Sequence, residues 1–238
     1  MKRTLLFCLW LAGGAAATPL ANADKILQRT LELCNQVRAE NHLKPLLLDP
    51  RLALAAYQHS WEMDQLKYFG HSSPVAEFAN LSLRIRRTGC YQLSFAENLH
   101  RSQGYADSTV ADEAVRDWLA SPAHRRNLLN PRFNRVGFGL SQMGDQFTLT
   151  QDLAYMAVDV LQNQVQAQGS GYHLNLRFQV SDGPTSGAVL YDGKRFLNWE
   201  ADRLGQVELD FAVPGHGTVG IGQAAGVRDW IIETEIDL

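Results

Sequence analysis

The spacing of apolar residues changes its period once along this chain, and that change limits the folds open to it. Across residues 24–40, Ile26, Leu27, Thr30, Leu31, Cys34 and Val37 recur at three- and four-residue intervals, with Gln28, Arg29, Glu32 and Gln36 between them. This is the pattern of a helix with one apolar face. Beyond residue 171 the interval becomes two. Leu174, Leu176, Phe178 and Val180 form one set, Val207, Leu209, Phe211 and Val213 a second, and Trp230, Ile232, Thr234 and Ile236 a third, as in half-buried strands. Between the two regimes the sequence LQNQVQAQGSG is polar, uncharged and glycine-ended, a composition typical of linkers. The chain reads as an α+β protein, with a first domain at 24–160, a linker at 161–170 and a small antiparallel β-sandwich at 171–238.

Within the first domain, Asp49-Pro50 starts a second helix whose narrow face is Leu52, Ala55, Ala56, His59 and Met63. Ser72, Ser73 and Pro74 stop it just after His71, and a shorter helix over 76–87 ends at Gly89. A further helix begins near Thr109, with Asp112 placed to complete a capping box, and Ser121-Pro122 breaks it before His124. Residues 135–140 and 146–153 read as a hairpin carrying Val136, Phe138, Phe147 and Leu149.

The first 23 residues read as a secretory signal peptide: Lys2 and Arg3, a short apolar run broken by Gly13, Gly14 and Pro19, then the cleavable pattern Ala21-Asn22-Ala23. A product cleaved near Ala23 has no transmembrane segment and lies in the periplasm or the medium. The leader holds two of the 22 basic residues and none of the 25 acidic ones, so the mature formal charge is −5. Nucleic acid is not an expected partner of such a surface. Cys34 and Cys90 are the two cysteines left after cleavage. In an oxidising compartment they are expected to form a disulfide, two buried free thiols being the alternative.

Four segments carry a resemblance: NQVRAENHLKPLLLDPRLALAAYQHSWEM; YFGHSSP; FAENL; and VRDWLASPAHRRNLLNPRFNRVGFGL, followed by a strand containing FTLTQDLA. In order and spacing they resemble the bacterial, extracellular branch of the CAP superfamily, the cysteine-rich secretory or SCP-like proteins. The resemblance implies an α-β-α sandwich with a cleft presenting two histidines and acidic residues, a site that in some relatives holds a divalent metal such as zinc. The matching positions are His71, Glu97 and His124. The fuller pattern has a second glutamate three residues after the tryptophan, where this chain has Ser121; Asp112 or Glu113 on the preceding helix is the candidate replacement.

Two imidazoles and a carboxylate are a ligand set for a three-coordinate zinc site with an open position, with His71 and His124 the expected ligands and Glu97 a ligand or general base. That chemistry would make the protein a metal-dependent, protease-like hydrolase. The bland reading is that histidines at helix ends bond exposed carbonyls beside a carboxylate. No serine sits in a nucleophile elbow. The leading expectation is therefore a secreted binding module whose partner is a small ligand, a lipid, a cell-wall component or a protein. Asn98 and Asn127 are read as backbone cross-links, Trp118 and Tyr68 as core or cleft lining, and Arg125 and Arg126 as solvated surface. Trp199, Tyr191 and Trp230 are a carbohydrate-stacking face or, by default, core.

Overall fold

The computed structural model describes residues 22–224 and 230–238. The expected signal peptide lies outside the described residues except for Asn22 and Ala23. No helix among the described residues is long and apolar enough to cross a membrane.

Helix α1 (Ala23–Glu40) buries Ile26, Thr30, Cys34 and Arg38, one residue per turn. Helix α2 (Pro50–Gln65) starts where the sequence places it, because the Asp49 side chain accepts from the Arg51 and Leu52 amides and Pro50 needs no such acceptor. The helix expected over 76–87 is divided. A single 3-10 turn at Ala76–Phe78 precedes α3 (Leu81–Arg87), which restarts because Asn80 caps it by accepting from the Leu83 amide. Helix α4 (Asp107–Ala120) has no side-chain N-cap bond. The expected capping box is not formed, and Asp112 instead pairs with Arg29 of α1 at 3.1 Å. Ser121-Pro122 ends α4 but also begins α5 (Pro122–Leu128), so His124 lies within a helix.

Strands β1 (Leu47–Leu48), β2 (Phe95–Gln103), β3 (Arg135–Met143) and β4 (Gln146–Ala154) form a sheet in the order β1-β3-β4-β2, leaving β2 at an edge. One face packs on α1 and α4 through Val136, Phe138, Leu149, Leu153 and Trp118. The other carries α2 and α3 through Leu52, Ala55, Ile85 and Ala154. This is the expected α-β-α arrangement. Helix α2 approaches β3 more closely than any side chain allows: a Cβ on Gly137 would overlap the backbone at Leu52 and Ala53, and one on Gly139 the backbone at Ala56 and Tyr57. The Ser60 hydroxyl fastens the contact by donating to the Gly139 carbonyl at 2.8 Å.

The second part is a β-sandwich. Strands β5 (Val158–Gln168), β6 (Gly171–Val180) and β9 (Gln206–Val213) form one sheet. Strands β7 (Ser186–Tyr191), β8 (Lys194–Glu200), β10 (Thr218–Ala224) and β11 (Trp230–Asp237) form the other, in the order β11-β10-β7-β8. Leu174, Leu176, Phe178, Val189, Val207 and Ile221 fill the space between. Trp199 is core, 4% exposed, with its ring 5.3 Å from that of Phe178. It therefore does not contribute to a stacking face, and the Trp230 side chain lies outside the described residues. The stretch expected as a linker is strand: β5 pairs with β6 through Gln168 and turns at Gly169 and Ser170. Its polarity arises because it is an edge strand whose last residues, 164–168, are solvent-exposed, which is a composition loops share. The two parts meet where the Arg51 guanidinium bridges Asp49 at 2.6 Å and Asp159 at 2.7 Å, and where Gln92 donates to the Val158 carbonyl at 3.0 Å.

The cysteines do not form the expected disulfide. Cys34 packs on the α1 side of the first sheet, near the Gln151 amide, and Cys90 on the α3 side, where its thiol donates to Gln92. The sheet lies between them, and burial pushes both thiols up to about 12.

Two outcomes follow from this packing. Gly139→Ala should lower the unfolding free energy by about 3 kcal/mol, near the upper end of overpacking costs, as read by urea denaturation; a loss below about 1 kcal/mol would show that α2 can lift off β3. Native protein should leave both thiols unalkylated, whereas unfolding without reductant should expose two reactive thiols by mass spectrometry. A disulfide-linked species would contradict the separation described here.

Candidate functional site

The site is built on the edge strand β2. Alternation along it turns Glu97 toward the α2 side and Asn98 toward the α5 side, and Glu97 stands directly across from Asp152 of β4. The loop leaving α2 brings His71 to Glu97 from one side of the sheet, and α5 brings His124 from the other.

His71 is placed by its backbone. The buried His59 ring meets the Gly70 carbonyl at 3.1 Å, and Arg84 donates to the carbonyls of His71 and Phe78 at 3.1 and 3.0 Å. The Tyr68 hydroxyl donates to Glu62 at 3.0 Å and lies 3.3 Å from the second His59 nitrogen, while Ser73 donates to the same Glu62 oxygen and accepts from the Val75 amide. These bonds hold the 68–75 segment against α2. His71 Nδ1 is then 2.7 Å from Glu97 Oε1, which fixes the proton on Nδ1 and presents Nε2 outward. The His71 side chain is 58% exposed and that of Glu97 3%.

Arg84, on α3, is the interior cation of the site. Its guanidinium donates to Glu97 Oε2 at 2.6 Å, and the His59 ring lies 3.8 Å from the same oxygen. Burial works to raise the Glu97 pKa, but the His71 hydrogen bond and the Arg84 charge outweigh it and hold the carboxyl below its usual range. Asp152 goes the other way. It is fully buried beside Glu97, and burial first, then the Glu97 charge, raises its carboxyl well above the ordinary aspartate value. The Glu97 hydrogen bond raises His71 above its ordinary 6.5. Burial, then the charge of His71, lowers His124.

On the α5 side Asn98 does the positioning. It donates to the His124 carbonyl at 3.2 Å and to Gln151 at 2.8 Å, and accepts from Asn127 at 2.9 Å. The backbone role expected of both asparagines is the one observed. Ser121 is the junction between α4 and α5. Asp112 and Glu113 do not replace the missing glutamate, because Asp112 pairs with Arg29 and Glu113 with Arg116. Trp118 is core, its indole donating to the Leu99 carbonyl at 3.1 Å.

The donor set bears on a metal. Both Glu97 oxygens are engaged by His71 and Arg84, so the carboxylate orients an imidazole and does not complete a three-ligand set. Among the described residues no three His, Cys, Asp or Glu side chains converge as a metal-holding group. His71 and His124 remain as two imidazole donors.

Three residues of this cluster were not singled out in the sequence for the chemistry they take part in. Arg84 carried a signal, a cation between Leu81 and Ile85 on the buried stripe of a short helix. His59 stood on the small-residue face of α2. Asp152 broke the apolar character of a central strand.

Residues 31–156, more than half of the chain, match the model of the cysteine-rich secretory protein family, CAP. The chain is 31% identical over 121 residues to the uncharacterized protein YkwD of Bacillus subtilis (strain 168), covering 51% of this chain and 44% of that protein. It is 30% identical over 115 residues to the uncharacterized membrane protein YlbC of the same organism, covering 48% of this chain and 31% of YlbC. Among solved structures, an extracellular protein containing an SCP domain from Bacillus anthracis shares 28% identity, with a TM-score of 0.49 over 58% of this chain and 45% of that one. The matches span less than half the length of these relatives. Because the family model covers more than half of the chain, this chain is a bacterial member of the cysteine-rich secretory protein (CAP) family.

Proposed function

We propose that this protein acts outside the cytoplasm, secreted or periplasmic after cleavage near Ala23, as a binding module whose ligand docks at the His71 and His124 imidazoles. The observation that carries this reading is the engagement of Glu97. A carboxylate buried and bonded through both oxygens orients its histidine and is not free to take a proton from water. What it leaves facing solvent is a fixed imidazole Nε2 of raised basicity, which once protonated donates to an anionic centre such as a lipid headgroup, a wall fragment or a protein carboxylate.

Co-sedimentation of the mature protein with vesicles containing anionic lipid, and with purified wall sacculi, tests the reading. Retention on one of them should fall about tenfold in His71→Ala, the loss expected for one charge-assisted hydrogen bond. No retention on either, or retention unchanged in both His71→Ala and His124→Ala, contradicts it. Calorimetric zinc titration addresses the competing class: tight binding abolished in the double variant would favour a metal-dependent hydrolase.

The His71–Glu97 pair also sets a pH dependence. Because the folded pKa of His71 is raised above 6.5, the stabilisation from the pair is fully present below 6.5 and is lost as pH rises through the folded value. The stability difference between wild type and His71→Gln should shrink by about 0.5 kcal/mol over that window, a small amount because solvent screens so exposed a ring. Urea titrations at several pH values read it, and a difference that grows with pH would reverse the assignment.

A further inference from the structure

We propose that a second pocket, at the far end of α2, binds a small zwitterion of the amino-acid or short-peptide type. It has a volume of about 500 Å³ and is lined by Asp64, Lys67, Arg101, Gln103, Asp145 and Gln146, with Met63 and Met143 beside them. It is distinct from the histidine cleft. Arg101 lies four residues along β2 from Glu97, roughly 13 Å at the rise of a strand.

Asp64 is in the last turn of α2 and its side chain is fully buried. Its Oδ1 accepts from Thr148 at 2.8 Å, Gln146 at 3.1 Å and Arg101 at 3.2 Å, while Oδ2 is buried with no hydrogen-bond partner. A buried carboxylate oxygen without a donor is rare in a finished protein. Arg101 is held rigid: it also donates to Thr148 and to the Tyr68 carbonyl, both at 3.0 Å, and its guanidinium lies 4.6 Å from the centre of the Phe69 ring.

Lys67 supplies the opposite pole. It follows α2 at the position where glycine ordinarily ends a helix, with φ of 58°, and the Tyr68 amide closes the end on the Met63 carbonyl at 3.1 Å. A lysine in this left-handed conformation is strained. Its ammonium is directed at the Met143 sulfur at 3.3 Å, a weak acceptor, and not at a carboxylate. Across the pocket Asp145 accepts from Gln103 at 3.2 Å. Arg101 and Asp64 answer each other, which leaves Lys67 and Asp145 as the open poles of a pocket whose four charged residues sum to zero. Such a pocket leaves one pole unanswered by a simple anion or cation and satisfies both only with a ligand carrying the two charges. The ligand carboxylate meets Lys67, and its ammonium lies toward Asp145.

Isothermal calorimetry on the full chain with alanylalanine, N-acetyl-alanylalanine and alanylalanine amide tests this. The free dipeptide should bind, and each capped form, lacking one charge, should bind at least about tenfold more weakly. Lys67→Gly should melt no lower than wild type, since glycine accepts the backbone conformation, yet lose about tenfold in dipeptide affinity. Asp145→Asn, at the rim, should weaken the dipeptide similarly without disturbing Asp64. No heat from the dipeptide, equal binding of the capped forms, or unchanged affinity in Lys67→Gly would each overturn the proposal.

Discussion

Helix α2 rests on strand β3 with no side chain between them, and the rest of the first domain is arranged around that contact. Gly137 and Gly139 bring the helix backbone down onto the strand, which draws the inward face of α2 toward β4 and β2 as well. That face is not apolar throughout. His59, Ser60, Glu62 and Asp64 are buried on it beside Leu52, Ala55 and Met63, and each needs a partner at the depth to which the glycines pull it. Thr150 of β4 meets Ser60, Thr148 of β4 and Arg101 of β2 meet Asp64, Glu97 of β2 lies beside His59, and Tyr68 and Ser73 of the following loop meet Glu62. The polar layer beneath α2 is thus a consequence of close packing, and both sites lie along it.

Charge is distributed along this layer in compensated groups. Near the cleft, Arg84 is set against Glu97, while burial disfavours the charged forms of the neighbouring Asp152 and His59. At the far end, Asp64 is set against Arg101. Removing one member of either group would leave a buried charge without its counterpart, which is more damaging than the modest net value of the pair. The same compensation explains how His71 can sit beside a buried carboxylate and still present a free nitrogen to solvent.

The β-sandwich is joined to the first domain by directional contacts. Arg51, in the first turn of α2, is bonded both to the Asp49 cap that starts the helix and to Asp159 of β5. Gln92 and Arg86 add bonds to β5 and to the C-terminal strand. The helix that covers the sheet is therefore also the helix that anchors the second module.

What the sequence by itself determined was local. Helical spacing over 24–40, the Asp49-Pro50 start of α2, the Ser121-Pro122 break and the two-residue alternation after 171 were legible because helix and strand periods are written in neighbouring residues. His71, Glu97 and His124 were legible because their flanking motifs are short and contiguous. Only the tertiary structure decided the rest. It placed Arg84 and Asp152 against Glu97, set Cys34 and Cys90 on opposite faces of one sheet, and made 161–168 part of a strand where the composition of 161–170 suggested a linker. Those outcomes depend on strand order and on which face each residue turns inward. Both are fixed by packing between segments far apart in the chain, where no local period carries the information.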